Sequence, residues 1–345
     1  MDSFKLTQYS HGSGCGCKIA PADLEKILAT HRSTRTAEQL LIGNNSNDDA
    51  AVWDIGNGQA LISTVDFFLP VVDDAFDFGR IAAANALSDV YAMGGKPVFA
   101  NVVLGWPIEK LPAELATEVL NGARNICEKV NVAIAGGHSI NSSDPIFGLS
   151  VNGFANVGHI KRNNTARSGD FLYLTKPLGI GVLSTAIKRG VAHSGHIQEV
   201  VELMCSLNTI GEKLGAQKWV HSMTDITGFG LLGHLTEMAE GSNLTAQLRF
   251  NDVPLLSCLD EYLKLNTIPD NTYRNWNAYE KKVSGLTDMK AFQVLNDPQT
   301  SGGLLISVAA EHAQEADELF AAEGVHAVCI GQFVPEGVYS IEVIL

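Results

Sequence analysis

Two thiols, three glycines and an ammonium group fall within His11-Gly12-Ser13-Gly14-Cys15-Gly16-Cys17-Lys18, ahead of any segment that reads as core. Glycine opens backbone conformations closed to other residues and lets the chain approach a ligand closely. Lys18, three residues after Cys15, would lower that thiol's pKa from its free value of about 8.5 and raise the thiolate fraction. The pattern suits a mobile nucleophile, a soft-ligand site or a chalcogen handler. Cys-x-Cys is not the spacing of zinc knuckles or thioredoxin-like sites, and no second Cys or His pair stands nearby at finger spacing. Taken alone, the eight residues also fit a tail with incidental cysteines.

A second set of residues points to hard cations. Asp48 and Asp49 lie in the loop 44–51, Asp66 ends an apolar run, and Asp225 sits in Thr224-Asp225-Ile226-Thr227-Gly228. Asn85 and Asp89, four apart, share a helix face. Mg²⁺ binds through one or two carboxylates together with water and substrate phosphate, so several acids in loops and at strand ends suit a Mg–nucleotide site. Each acid has an ordinary alternative. Asp48 and Asp225 also fit turns, and Asp89 also fits a solvated helix position, although Ala84, Leu87 and Val90 surround it. Asp66 precedes Phe67-Phe68, where an unpaired buried acid would be costly.

No Gly-x-x-x-x-Gly-Lys-Ser/Thr loop occurs. Instead Gly136-Gly137-His138-Ser139 follows the strand-like 132–135. Read as a glycine-rich loop, it offers amide N–H groups to a nucleotide or its phosphates; a plain turn is the alternative. The loop Asp297-Pro298-Gln299-Thr300-Ser301-Gly302-Gly303 is dense in hydrogen-bonding groups, which points to a functional or interface loop of open role.

The elements that must position these groups follow from periodicity. Residues 60–66 read as a strand, and 78–93 as a helix stopped by Gly94-Gly95. A strand near 98–105, a helix near 113–130 and strands at 132–135 and 147–155 follow. The polar stretch 159–170 marks a domain boundary. Beyond it come a strand at 171–175, a turn around Gly179 and Gly181, and helices near 181–189 and 198–216. The pattern is α+β in two domains, with no Gly-x-Gly-x-x-Gly unit to indicate a dinucleotide fold.

Length and composition agree. The chain of 345 residues, 46% hydrophobic, suits two cores. No apolar run approaches the ~18 residues of a membrane span, and the first residues lack a signal-peptide layout, so a soluble, cytoplasmic chain is expected. Cys127, Cys205, Cys258 and Cys329 read as buried free thiols. A net charge of −14 argues against nucleic acid as the main partner.

The ordered series Gly14-Cys15-Gly16-Cys17-Lys18, Asn47-Asp48-Asp49-Ala50-Ala51, Asp66-Phe67-Phe68, Asn85-Ala86-Leu87-Ser88-Asp89, Ala135-Gly136-Gly137-His138-Ser139, Thr224–Gly230 and Asp297–Gly303 resembles the selenophosphate synthetase (selenide, water dikinase) family. The likeness spans nearly the whole chain. It implies a two-domain aminoimidazole-ribonucleotide-synthetase-like (PurM-like) fold: a flexible segment at 1–20, an ATP/Mg-binding domain at 21–157 that forms a homodimer through its sheet, and an α+β domain at 168–345. The implied reaction uses ATP, Mg²⁺ and hydrogen selenide, free or from a selenium-delivery protein, and yields selenophosphate, AMP and orthophosphate. A requirement for K⁺ stays open. By position, Cys15 matches the catalytic Cys or selenocysteine and Lys18 the essential lysine. Asp49, Asp89 and Asp225 match Mg²⁺ ligands. Ser46, Asn47, Asp48, Asp66, Asp89 and Gly136, Gly137 and His138 match nucleotide contacts, with Lys18 at the phosphates. Superfamily relatives such as thiamine-monophosphate kinase share the acids but have no use for the Cys15–Lys18 segment. A selenium or metal carrier would leave the acids unexplained.

Overall fold

The computed structural model describes residues 4–10, 12, 14, 27, 37–43 and 47–345, so Cys15, Cys17, Lys18 and Ser46 lie outside the described residues. The first half builds a six-stranded sheet from β1 (Leu40–Ile42), β2 (Ala51–Gly56), β3 (Gln59–Phe68), β4 (Lys96–Trp106), β5 (Ala133–Asn141) and β6 (Ile146–Asn156). Its order is β1-β2-β3-β6-β4-β5, and only β4 and β5 run parallel. The helices α1 (Ala75–Ala92) and α2 (Ala113–Lys129) cover one face.

Strand β3 shows why the sheet has two unlike faces. Successive side chains point to opposite sides: Ala60, Ile62 and Phe68 are buried toward the helices, whereas Val65 and Phe67 are exposed. The Asp74 carboxylate caps α1 by accepting from Asp77 N at 2.9 Å, as a short acidic side chain does at a helix start. Gly94, with φ +75°, ends that helix in the left-handed region that favours glycine. Gly79 and Gly122 let α1 and α2 touch backbone to backbone, since a Cβ at either would run into Val119 O or Phe76 O.

The second half continues with β7 (Phe171–Leu174), α3 (Ile180–Lys188), α4 (Ser194–Cys205), α5 (Ile210–Gly215), β8 (Val220–Asp225), α6 (Gly230–Gly241) and β9 (Leu244–Arg249). It ends with α7 (Leu259–Lys264), α8 (Asp270–Tyr279), β10 (Val283–Ser284), α9 (Met289–Leu295), β11 (Leu304–Val308), α10 (Ala313–Ala322), β12 (Val328–Pro335) and β13 (Ile341–Ile344). The seven-stranded sheet runs β10-β13-β9-β12-β7-β11-β8. Helix α1 is buried almost throughout because α4, α5 and β8 pack on the sides that α2 and the first sheet leave open.

Two expected elements differ. The stretch 198–216 breaks into α4 and α5, because Asn208 between them donates to Ser88 Oγ (2.8 Å) and Gly302 O (2.9 Å) while Lys176 Nζ takes Ser206 O (2.8 Å). Gly136–Ser139 forms no loop but the middle of β5. Cys127, Cys205 and Cys258 are buried, and Cys329 is half-buried beside Arg249. Among the described residues no helix is long and apolar enough to cross a membrane.

Candidate functional site

The site grows from the helix-facing side of β3. Two residues along a strand advance about 6.6 Å and four along a helix about 6 Å. The pair Thr64 and Asp66 therefore meets Asp89 and Asn85 of α1 side by side. Thr64 Oγ1 donates to Asp89 Oδ2 at 2.6 Å, and Asn85 Nδ2 donates to Asp66 Oδ2 at 2.6 Å. Asn85 Oδ1 accepts from Ser301 N at 2.8 Å, which ties Asp66 to the loop 297–303 of the second half.

The 47–49 segment is stitched to the second half from the other side. Asn47 Nδ2 reaches Glu237 Oε1 at 3.2 Å, and Asn163 Nδ2 donates to Asn47 O at 2.5 Å. Asp48 accepts from Asn163 N at 2.9 Å and pairs with Arg162 Nε at 3.4 Å. Asp49 Oδ1 accepts from Thr224 Oγ1 at 2.8 Å, next to Asp225 at the end of β8. Thr64 Oγ1 lies 3.4 Å from Asp49 O, so one hydroxyl stands between Asp49 and Asp89.

Asp49 carries the electrostatic signature of the site. Its Oδ2 is buried without a hydrogen-bond partner among the described residues. Burial, then the neighbouring charges of Asp225 and Asp89, push its carboxyl well above the ordinary range, and the Thr224 hydroxyl opposes this. A buried carboxylate with a spare oxygen and two like-charged neighbours fits a divalent cation. No three His, Cys, Asp or Glu side chains among the described residues cluster tightly enough to hold a metal by themselves. The fit is therefore to an ion that completes its shell with water and substrate phosphate, as Mg²⁺ commonly does.

Behind Asp225, Lys176 is buried with its ammonium donating to Ser206 O and Ser301 O, both at 2.8 Å. Burial pulls its pKa down to about 7, with Asp225 acting in the opposite sense. In the same loop, Asp297 Oδ2 accepts from Gly181 N (2.9 Å) and Gln299 Nε2 (2.8 Å), while Gln299 Oε1 accepts from Ile180 N (3.1 Å). The loop 297–303 thus caps α3 and touches Asn85 and Lys176.

Asp49, Asp66, Asp89 and Asp225, with Asn47 and Asp48, come to one region. Gly136, Gly137 and His138 do not. They lie on edge strand β5, three strand steps from β3, about 14 Å away at ordinary strand spacing. Gly136 pairs with Asn101 and His138 with Val103. Through the register of β4 with β6 and of β6 with β3, both sit on the face that carries Val65 and Phe67, opposite the acids. Cys15, Lys18 and Ser46 lie outside the described residues, but Gly14 forms an antiparallel bridge to Leu69, with Gly14 N on Leu69 O at 3.0 Å. Sequence reasoning missed Thr64, Thr224, Lys176 and Asn163. For Thr64 the signal was present, since it shares Asp66's face of the strand.

Family models for the AIR synthase related protein match residues 47–155 with the N-terminal domain and 167–344 with the C-terminal domain. A protein of Aeromonas hydrophila named "Selenide, water dikinase" is 51% identical over 332 residues, covering 96% of each chain. One of Sulfurovum sp. with the same name is 47% identical over 344 residues, covering 100% of each. Among solved structures, thiamine-monophosphate kinase from Stenotrophomonas maltophilia K279a superposes with a TM-score of 0.67 at 20% identity, covering 95% of this chain and 96% of that one. The hydrogenase maturation protein HypE in complex with ATP gives 0.63 at 18%, covering 96% and 90%. Those structures share the fold, and the full-length sequence likeness goes further: the chain belongs to the selenide, water dikinase family.

Proposed function

We propose that this chain makes selenophosphate from hydrogen selenide, ATP and water, releasing AMP and orthophosphate. The observation that carries this reading is the Gly14–Leu69 bridge, which fastens the residue before Cys15 to the chain three residues past Asp66. The bridge holds Gly14, the residue before Cys15, beside the end of the strand that carries Asp66, which supports a thiol acting near the acids. The family's name for the reaction supplies the substrate class.

Asp49, Asp89 and Asp225 would hold Mg²⁺, which when bound neutralises phosphate charge. The chain's own residues do the rest. Thr64 orients Asp89 and Thr224 orients Asp49, leaving Asp49 Oδ2 open toward the site. Asn85 fixes Asp66, the nucleotide contact, against the loop 297–303. Asn47, Asp48 and Ser46 complete the nucleotide end, Cys15 handles selenium, and Lys18 neutralises phosphate charge. Phosphoryl transfer is mostly positioning and charge stabilisation, so few reactive groups are needed.

Two copies pack through the outer face of the first sheet. Trp53, Ile55, Val65, Phe67, Ile140 and Phe154 expose apolar area there, more than scattered surface residues explain. Gly136 and His138 on that face, with Gly137 between them, then meet nucleotide held in the assembled dimer. The protein works in the cytoplasm, and selenium arrives as free selenide or from a delivery protein.

Anaerobic ³¹P NMR with Mg–ATP, with and without selenide, tests the reaction. A selenium-coupled phosphorus signal that appears together with AMP is expected. Unchanged ATP in folded protein would refute the reading.

A further inference from the structure

A cavity of about 440 Å³ opens between Gly12 and the helices α3 and α8, and none of Asp48, Asp49, Asp66, Asp89 and Asp225 lines it. Lys188 and Arg189 at the end of α3 and Arg274 on α8 line it, with Asp270 as its one carboxylate. Lys188 Nζ spends two of its three donors on Ser10 O and Gly12 O, both at 3.0 Å. Arg189 Nη1 donates to Asn266 O at 2.9 Å. Among the described residues Arg274 has no hydrogen-bond or ion-pair partner, and neither does the Asn271 amide, which lines the cavity at 7% exposure. Arg274 and the Asn271 amide therefore meet the solvent of the cavity with unused donors.

We propose that this cavity binds a tetrahedral oxyanion of the phosphate class. Its guanidinium, ammonium and amide N–H groups are donors, and such an anion offers mainly acceptors. The volume leaves room for the anion with part of its water shell. Thr300 also lines the cavity and lies against Gly14, the residue before Cys15. The inference rests on the reaction proposed above, whose orthophosphate and selenophosphate products are both anions of this class. The cavity is where one of them waits before release.

Equilibrium dialysis of nucleotide-free, Mg-free protein against orthophosphate, thiophosphate (a stable sulfur counterpart of the selenium product) and ATP tests this. Both small anions should bind, and Arg274→Glu should weaken each by about tenfold or more, the scale of a lost charge-assisted contact, while ATP binding stays unchanged. Preference for orthophosphate or thiophosphate identifies which product is held. The site is overturned if neither binds the wild type, if Arg274→Glu binds them as well as wild type, or if the substitution weakens ATP instead. Because the readout is binding, a failure to form selenophosphate would refute the reaction without touching this result.

Discussion

The two faces of the first sheet are built from alternate residues of the same strands and have unlike chemistry. On the helix side of β3, Thr64 and Asp66 are taken up by Asp89 and Asn85 of a buried helix. One residue over, Val65 and Phe67 are 55% and 50% exposed and continuous with an apolar surface. The inner face gathers charge on partly buried side chains beside the buried Asn85 and Asp225, where electrostatic effects are stronger than in open water. The outer face offers area. A period of two residues is enough to give one strand two unlike faces, one for the site and one for the proposed dimer.

The comparison breaks most sharply at the inner face. Asp49→Asn removes the carboxylate with the open buried oxygen, and kcat should fall about 10³-fold, the scale of losing one preorganised charge-stabilising group, as read from AMP formation. Thr64→Val keeps every carboxylate but frees Asp89 to rotate; a loss of about 10- to 100-fold is expected, as for partners that orient metal ligands. If Thr64→Val is as active as wild type, the hydroxyl between Asp49 and Asp89 orients nothing. Asn85→Ala leaves the buried Ser301 N without its acceptor and should cost about 1–3 kcal/mol in urea unfolding. An unchanged midpoint would show that the two halves are joined elsewhere.

A smaller effect depends on pH. Burial raises the Asp297 carboxyl to about 8, with Gln299 and the Gly181 and Val182 amides opposing the shift. Between the ordinary carboxylate pKa of about 4 and that value, the folded chain binds a proton that the unfolded chain has released. The stabilisation is therefore complete below about pH 4 and is lost as pH rises toward 8, at no more than about 1.4 kcal/mol per unit. Asp297→Asn should flatten the fall in stability from pH 5 to pH 8, approximate bounds set by the same linkage. Equal slopes in both proteins would contradict this.

Much of this was legible in the chain. The helical spacing from Phe78 to Met93 and the strand over 60–66 reflect local periods; the helix stops before Gly94-Gly95 as expected, while the strand runs past Asp66 to Phe68. The four acids were legible because the chemistry of a hard cation limits which side chains serve. Local chemistry did not separate Asp48 from Asp49, whose different roles came from the family resemblance: in the structure Asn163 and Arg162 hold one and Thr224 the other, more than a hundred residues away. The Gly136-Gly137 pair resembled a turn, since glycine signals turns locally. Instead Gly137 sits flat against Val102 of the neighbouring strand, where a Cβ would collide. The break between α4 and α5 escaped for the same reason, because Asn208 is held by Ser88 and Gly302 and not by its neighbours.

Sedimentation equilibrium of Phe67→Glu, run beside an assay of its selenide-dependent AMP formation, tests the division between the two faces most directly. Phe67 pairs with Gly148 in the middle of the sheet, and its side chain points to the face opposite Asp66. The account requires a folded monomer that has lost most of its turnover, because Gly136–His138 no longer meets a nucleotide. A monomer with full activity would contradict it, and so would a dimer indistinguishable from wild type.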